Sequence, residues 1–106
     1  MTPVSGSYRL AMVQMRCDGS RDDKLARALE HAREAAAAGA AVICLPELFL
    51  GPYFCQTEDD GRFALAEAVP GPTTAAFEPL CRETGATVLL SLFEERAPGL
   101  YHNTLA

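Results

Sequence analysis

The sequence has 106 residues, a formal net charge of −5 and 49% apolar residues, which suits one small domain with a buried core. The acidic balance disfavours nucleic acid and anionic membrane as partners. No apolar stretch approaches the ~20 residues of a membrane span, and residues 1–7 lack the basic start and apolar segment of a secretory signal, so a cytoplasmic protein is expected.

Residues 9–15, RLAMVQM, read as a strand. The stretch CDGSRDD then supplies turn and cap chemistry, and Ser20 with Asp23 three residues on resembles a capping box. Leu25, Ala28, Leu29, Ala32 and Ala36 recur at helical spacing, while Arg27, Glu30, Arg33 and Glu34 fall mostly on the other face. With Gly39 as a terminator, this predicts a helix over residues 21–38. AAVICLPELF follows, a continuous apolar run that suits a parallel strand covered on both faces. Strand, helix and strand make a βαβ unit with a right-handed crossover.

Residues 51–72 are loop-like, with Gly51, Pro52, Gly61, Pro70, Gly71 and Pro72. Within them FALAEAV reads equally as a short strand or a helical turn. Thr73 or Thr74 is expected to cap a second helix that runs to about residue 83 and is closed by Gly85, with Pro79 removing one ladder bond. ATVLLSLFEE reads as one apolar strand. Residues 97–99 turn the chain, and LYHNTLA returns as the fourth strand, in a hairpin. The sequence stops at Ala106 inside that strand, so residues 1–106 are expected to be the N-terminal portion of a single domain whose C-terminal half is absent.

Cys17, Cys44, Cys55 and Cys81 form no C-x-x-C pair, and the two histidines, His31 and His102, lie far apart in the sequence. Neither a metal site nor a disulfide is expected. Cys44 and Cys81 read as small buried apolar residues. His31 and His102 read as surface residues.

One stretch breaks its own pattern. In CLPELFLGPYFCQTEDD, residues 44–60, Pro46 and Glu47 stand where an apolar run meets an apolar loop. A carboxylate there costs free energy unless it has a partner or a task. Two readings follow. Glu47 pairs with a nearby arginine or caps a turn, or it stands beyond the carboxyl end of a parallel strand, where open α/β sheets bind ligands.

AVICLPELFLGPYFCQTED closely resembles the carbon–nitrogen hydrolase (nitrilase) superfamily, most of all its N-carbamoylputrescine amidohydrolase branch. AVPGPTT, LSLFEE, YHNTLA and a first strand ending in VQM fit that family in order and spacing. The resemblance implies an α/β fold: the N-terminal part of a four-layer αββα sandwich, with βαβ units and a mostly buried mixed sheet. It implies a thiol amidohydrolase that cleaves a linear C–N bond, without cofactor or metal. Its partner would be a small-molecule carbamoyl amine or amide: N-carbamoylputrescine first, then ω-amides or β-ureido acids. A homo-oligomer is expected when the protein is complete.

The family's glutamate–lysine–cysteine set carries over to Glu47 alone. Its lysine and cysteine belong to later strand ends, beyond Ala106. Lys24, the one lysine in the sequence, stands at the start of the first helix, outside the family's lysine context. Two rivals lie outside the enzyme class: a half-domain that only binds a partner, and a small doubly wound binding domain with a structural Glu47.

Tyr53, Phe54, Glu58 and Asn103 are the candidate substrate-binding residues. Tyr53 and Phe54 either pack the loop over the core or stack on a ligand. Glu58, with Asp59 and Asp60, forms a solvated acidic turn or attracts a cationic amine. Asn103 either ties its strand to the Glu47 loop by a side-chain hydrogen bond or is simply exposed. Cys55 reads as a loop side chain, because no helix N-terminus, histidine or basic neighbour in sequence activates its thiol.

Overall fold

The computed structural model describes residues 6–16, 18–50 and 65–106. Within them the elements follow as β1 (Arg9–Met12), α1 (Arg21–Ala37), β2 (Ala40–Cys44), α2 (Pro72–Thr84), β3 (Thr87–Leu89), β4 (Ser91–Ala97) and β5 (Leu100–Leu105). Helix α1 begins where its cap chemistry demands. The Ser20 hydroxyl accepts from the Asp23 amide at 3.1 Å, and the Asp23 carboxylate accepts from the Ser20 amide at 3.4 Å. Both halves of the capping box are therefore present. After the helix, Gly39 takes a φ of 94°, a region that favours glycine, and Arg9 donates to the Ala38 carbonyl at 2.6 Å. That bond ties β1 to the C-terminal end of α1.

The cap of the second helix differs from expectation. It is Gly71, not Thr73 or Thr74, and Pro72 takes the first helical position, where a missing N–H costs nothing. A Cβ on Gly71 would stand 2.2 Å from the Ala68 carbonyl oxygen, so only glycine fits. Thr74 still serves the cap, its hydroxyl accepting from the Gly71 amide at 2.8 Å. Pro79 lies exposed inside α2 without ending it, and Gly85 closes the helix with a φ of 73°.

Strands β1, β2 and β3 form a parallel sheet in that order. Strands β4 and β5 form an antiparallel hairpin. ATVLLSLFEE is therefore two strands, not one. The Leu89 carbonyl still accepts from the Leu45 amide at 3.2 Å, whereas Leu90 exchanges both of its bonds with Ala106, each at 2.8 Å. The chain changes partner between those two residues. The physical reason is that β2 has run out: Pro46 has no N–H to continue a ladder. On its other side β4 is met by Glu67, which donates to the Phe93 carbonyl at 3.0 Å and accepts from the Glu95 amide at 2.8 Å. That bridge is what FALAEAV contributes among the described residues.

The two helices lie on one side of the parallel sheet. Between them and the strands sit Ala28, Ala32, Ile43, Phe77 and Leu80, all at most 2% exposed, and the ring of Phe49 meets Phe77 edge-on. Each such large side chain stabilises the fold by roughly 1.5–3 kcal/mol through burial. The strand register sets Leu10 beside Val42 and Met12 beside Cys44 on the opposite side. Leu10 is 54% and Met12 81% exposed. Cys44 is accordingly half-buried rather than buried, because it belongs to this open side. Cys81 is half-buried as well, at the rim of α2 beside a cleft shared with Val88 and Leu90. Among the described residues no helix is long and apolar enough to cross a membrane.

Candidate active site

Strand β2 delivers Glu47. The chain leaves the strand at Cys44, passes Leu45 and Pro46, and turns over residues 47–50. Leu48 adopts a φ of 49°, which costs a non-glycine residue about 1–2 kcal/mol. Burial offsets that cost, since Leu48 is 5% exposed and Phe49 fully buried. The turn therefore has an apolar underside and presents the exposed Glu47 outward. The partner change at Leu89 and Leu90 makes room for it. Where β2 has ended, the first residue of β4 meets the turn, and the Leu48 amide donates to the Ser91 hydroxyl at 3.0 Å.

The carboxylate is held as well. Asn103 Nδ2, on β5, donates to Glu47 Oε1 at 2.9 Å. Of the two readings of Asn103, the tie to the Glu47 loop is the one present. The pairing of Glu47 with an arginine is not found among the described residues. Arg21 pairs with Glu67, Arg27 with Asp18, Arg33 with Glu83, Arg82 with Glu78 and Arg96 with Glu94. Tyr53, Phe54 and Glu58, together with Cys55, lie outside the described residues. His102 is exposed, and His31 is half-exposed, with Nδ1 3.7 Å from the Glu34 carboxylate.

Three charged groups near this region escaped the sequence reading. Lys24 is 5% exposed, and its ammonium reaches the Leu50 carbonyl at 3.5 Å. Its signal was spacing: it stands four and eight residues before Ala28 and Ala32, on the stripe that packs inward. Glu67 takes Arg21 and the Thr73 hydroxyl on Oε2, the latter at 2.9 Å, while Oε1 is buried without a partner among the described residues. Arg21 also donates to the Leu65 carbonyl at 3.2 Å. The first turn of α1 thus holds the chain at both Leu50 and Leu65. Glu94, 4% exposed, accepts from the Thr104 hydroxyl at 2.7 Å and lies 3.6 Å from Arg96. Strand alternation placed it on the buried side with Leu92.

The arrangement has one chemical competence that stands out. A solvent-facing carboxylate at a strand end, with one oxygen engaged by a neutral amide and the other without a hydrogen bond among the described residues, can accept and return a proton.

The family model for carbon-nitrogen hydrolase matches residues 9–106. The chain is 35% identical over 98 residues to an N-carbamoylputrescine amidase of Arabidopsis thaliana, covering 92% of this chain and 32% of that one. It is 31% identical over 100 residues to an omega-amidase of Homo sapiens, covering 94% of this chain and 35% of that one. The crystal structure of a carbon-nitrogen hydrolase from Helicobacter pylori G27 matches 91% of this chain and 33% of its own, with a TM-score of 0.81 and 31% identity. The chain spans about a third of the length of these relatives.

Proposed function

Because the chain belongs to the carbon–nitrogen hydrolase family, we propose that Glu47 is the general base of a thiol amidohydrolase acting on a linear C–N bond. The observation that supports this most is the mounting of Glu47. It stands just past the end of a parallel strand, faces outward, and has Oε1 held by Asn103.

In this reading a thiol attacks the carbamoyl or amide carbon while Glu47 takes the thiol proton, so that the S–C bond forms without a free proton being released. A lysine ammonium beside the developing oxyanion stabilises the tetrahedral intermediate. The Glu47 carboxyl then returns its proton to the leaving nitrogen as the C–N bond breaks. Later it takes a proton from the water that cleaves the thioester. Residues 1–106 contribute the base. Lys24, in the first turn of α1, is buried and engaged with the Leu50 carbonyl, which supports a catalytic lysine supplied by another part of the complete polypeptide.

The substrate we propose is N-carbamoylputrescine, hydrolysed in the cytoplasm to putrescine, ammonia and carbon dioxide as a step of polyamine synthesis. The amidase relative from Arabidopsis thaliana supports it. The omega-amidase relative supports a second reading, in which the substrate is an ω-amide. The deciding experiment assays the complete polypeptide on N-carbamoylputrescine, ω-amides and β-ureido acids, with Glu47→Gln alongside. Glu47→Gln keeps the shape and loses the base. Turnover should fall by roughly 10²-fold or more, with circular dichroism unchanged. Near-normal turnover in a folded variant overturns the assignment of the base. Preference for an ω-amide replaces the first substrate with the second.

A further inference from the structure

Two contacts from one face of the β4–β5 hairpin fasten the turn that carries Glu47. Asn103 pairs across the ladder with Phe93, and Ser91 lies two residues before Phe93 on the same strand. Side chains alternate along a strand and cross-strand partners share a face. Ser91 and Asn103 therefore project to the same side, roughly 7 Å apart along the strand direction. The other side carries Leu92 and Glu94, both buried.

The two contacts differ in kind. Asn103 holds the carboxylate itself, through Oε1, while the Ser91 hydroxyl holds the main chain one residue on, at the Leu48 amide. Leu48 is the residue with positive φ. A non-glycine residue keeps such a conformation only where surrounding contacts determine it, and these positions gather at functional sites. One contact alone leaves a carboxylate free to swing. Two contacts from one hairpin, one on the backbone and one on the side chain, set both its place and its direction.

We infer that Ser91 is a positioning residue for Glu47, an inference that rests on Glu47 being the base. Ser91 fixes the backbone that follows Glu47, Asn103 occupies Oε1, and Oε2 is the oxygen that receives the proton.

The test uses the complete polypeptide with Ser91→Ala, Ser91→Thr, Asn103→Ala, the Ser91→Ala/Asn103→Ala double variant, and Glu47→Gln as reference. Ser91→Ala should lower kcat by roughly ten- to a hundredfold, as small misplacements of a reacting group do, and leave KM unchanged. Ser91→Thr keeps a hydroxyl and should restore most of kcat, an outcome that a merely structural role for the serine would not separate from the alanine variant. The double variant should lose less than the product of the two single losses, because both residues serve one carboxylate. The inference is overturned if Ser91→Thr is as slow as Ser91→Ala, if Ser91→Ala changes KM alone, or if the two losses multiply independently. A severe loss in Glu47→Gln beside full kcat in Ser91→Ala removes the role of Ser91 and leaves the base in place. Full turnover in Glu47→Gln removes the base, and the positioning role with it.

Discussion

The two faces of the β1–β2–β3 sheet are made by the same strands and end in opposite states. On one, Ala11, Ile43 and Val88 meet α1 and α2, and Ile43, Phe77 and Leu80 are at most 2% exposed. On the other, Leu10 and Met12 are more than half exposed, beside Val42 and Cys44. The difference teaches how far local sequence reaches. Helix α1 directly follows β1, and α2 directly precedes β3, so short connections fold both helices onto one side. The apolar residues facing the other way have no such cover among the described residues. In a four-layer αββα sandwich that cover is a second sheet.

The largest expected effect lies on the finished face. Phe77→Ala in the complete polypeptide removes a ring that is 2% exposed and packed edge-on against Phe49. A substitution of this kind typically costs about 3–5 kcal/mol, read as a lower denaturant midpoint at unchanged slope. Phe49 lies in the turn next to Glu47, so kcat should fall with stability. A loss under about 1 kcal/mol would mean that this face tolerates a cavity and is no more settled than the other, since a surface-like cost is what an unpacked site shows.

The open face yields the next test. Residues 1–106 expressed alone should self-associate in light scattering and show no hydrolysis of carbamoyl amines. Leu10 and Met12, with Leu100 and Leu105 on the hairpin, are large apolar side chains left 46% to 81% exposed. Large apolar side chains left open to water on a sheet face favour association. The net charge of −5 opposes association without hiding the surface. A monodisperse monomer with a cooperative thermal transition would break the contrast between the faces, because the open one would then need no cover. Measurable hydrolysis would break the assignment of the thiol and lysine to other parts of the polypeptide.

The same division separates what could be read from the sequence. The covered half was legible because its signals are local. Ser20 and Asp23 cap a helix three residues apart, Gly39 and Gly85 end helices by their φ, and LYHNTLA returns after Pro98 and Gly99. The partner change at Leu89 and Leu90 was not legible. TVLLSLF contains no glycine or proline, and the break arises because a different strand, β2, stops at Pro46. The burial of Lys24 went unread as well, because its charge hid its place on the inward stripe with Ala28 and Ala32. At the candidate site, Glu47 and its tie to Asn103 could be anticipated, whereas Ser91 could not. A hydroxyl inside an apolar strand looks like a minor lapse until the partner change brings the Leu48 amide to it.

The smallest expected effect sharpens the comparison most. Met12→Glu places a charge on the open face and takes the net charge from −5 to −6, one negative unit more than the present sequence. Met12 is 81% exposed, so in residues 1–106 alone the substitution leaves no cavity and buries no charge. Its cost there should stay within about 0.5 kcal/mol, the ordinary range for a surface site. Association in light scattering should fall at the same time, because the patch is interrupted and the repulsion raised. In the complete polypeptide the cost is much larger. A carboxylate under a second sheet is buried without a partner, which destabilises by several kcal/mol. The two forms therefore respond differently: less association of the short chain in light scattering, and a large drop in the thermal midpoint of the complete polypeptide. An unshifted midpoint in the complete polypeptide would mean that the face is open there as well. That result would remove the reason for the exposed Leu10 and Met12 that the αββα arrangement supplies.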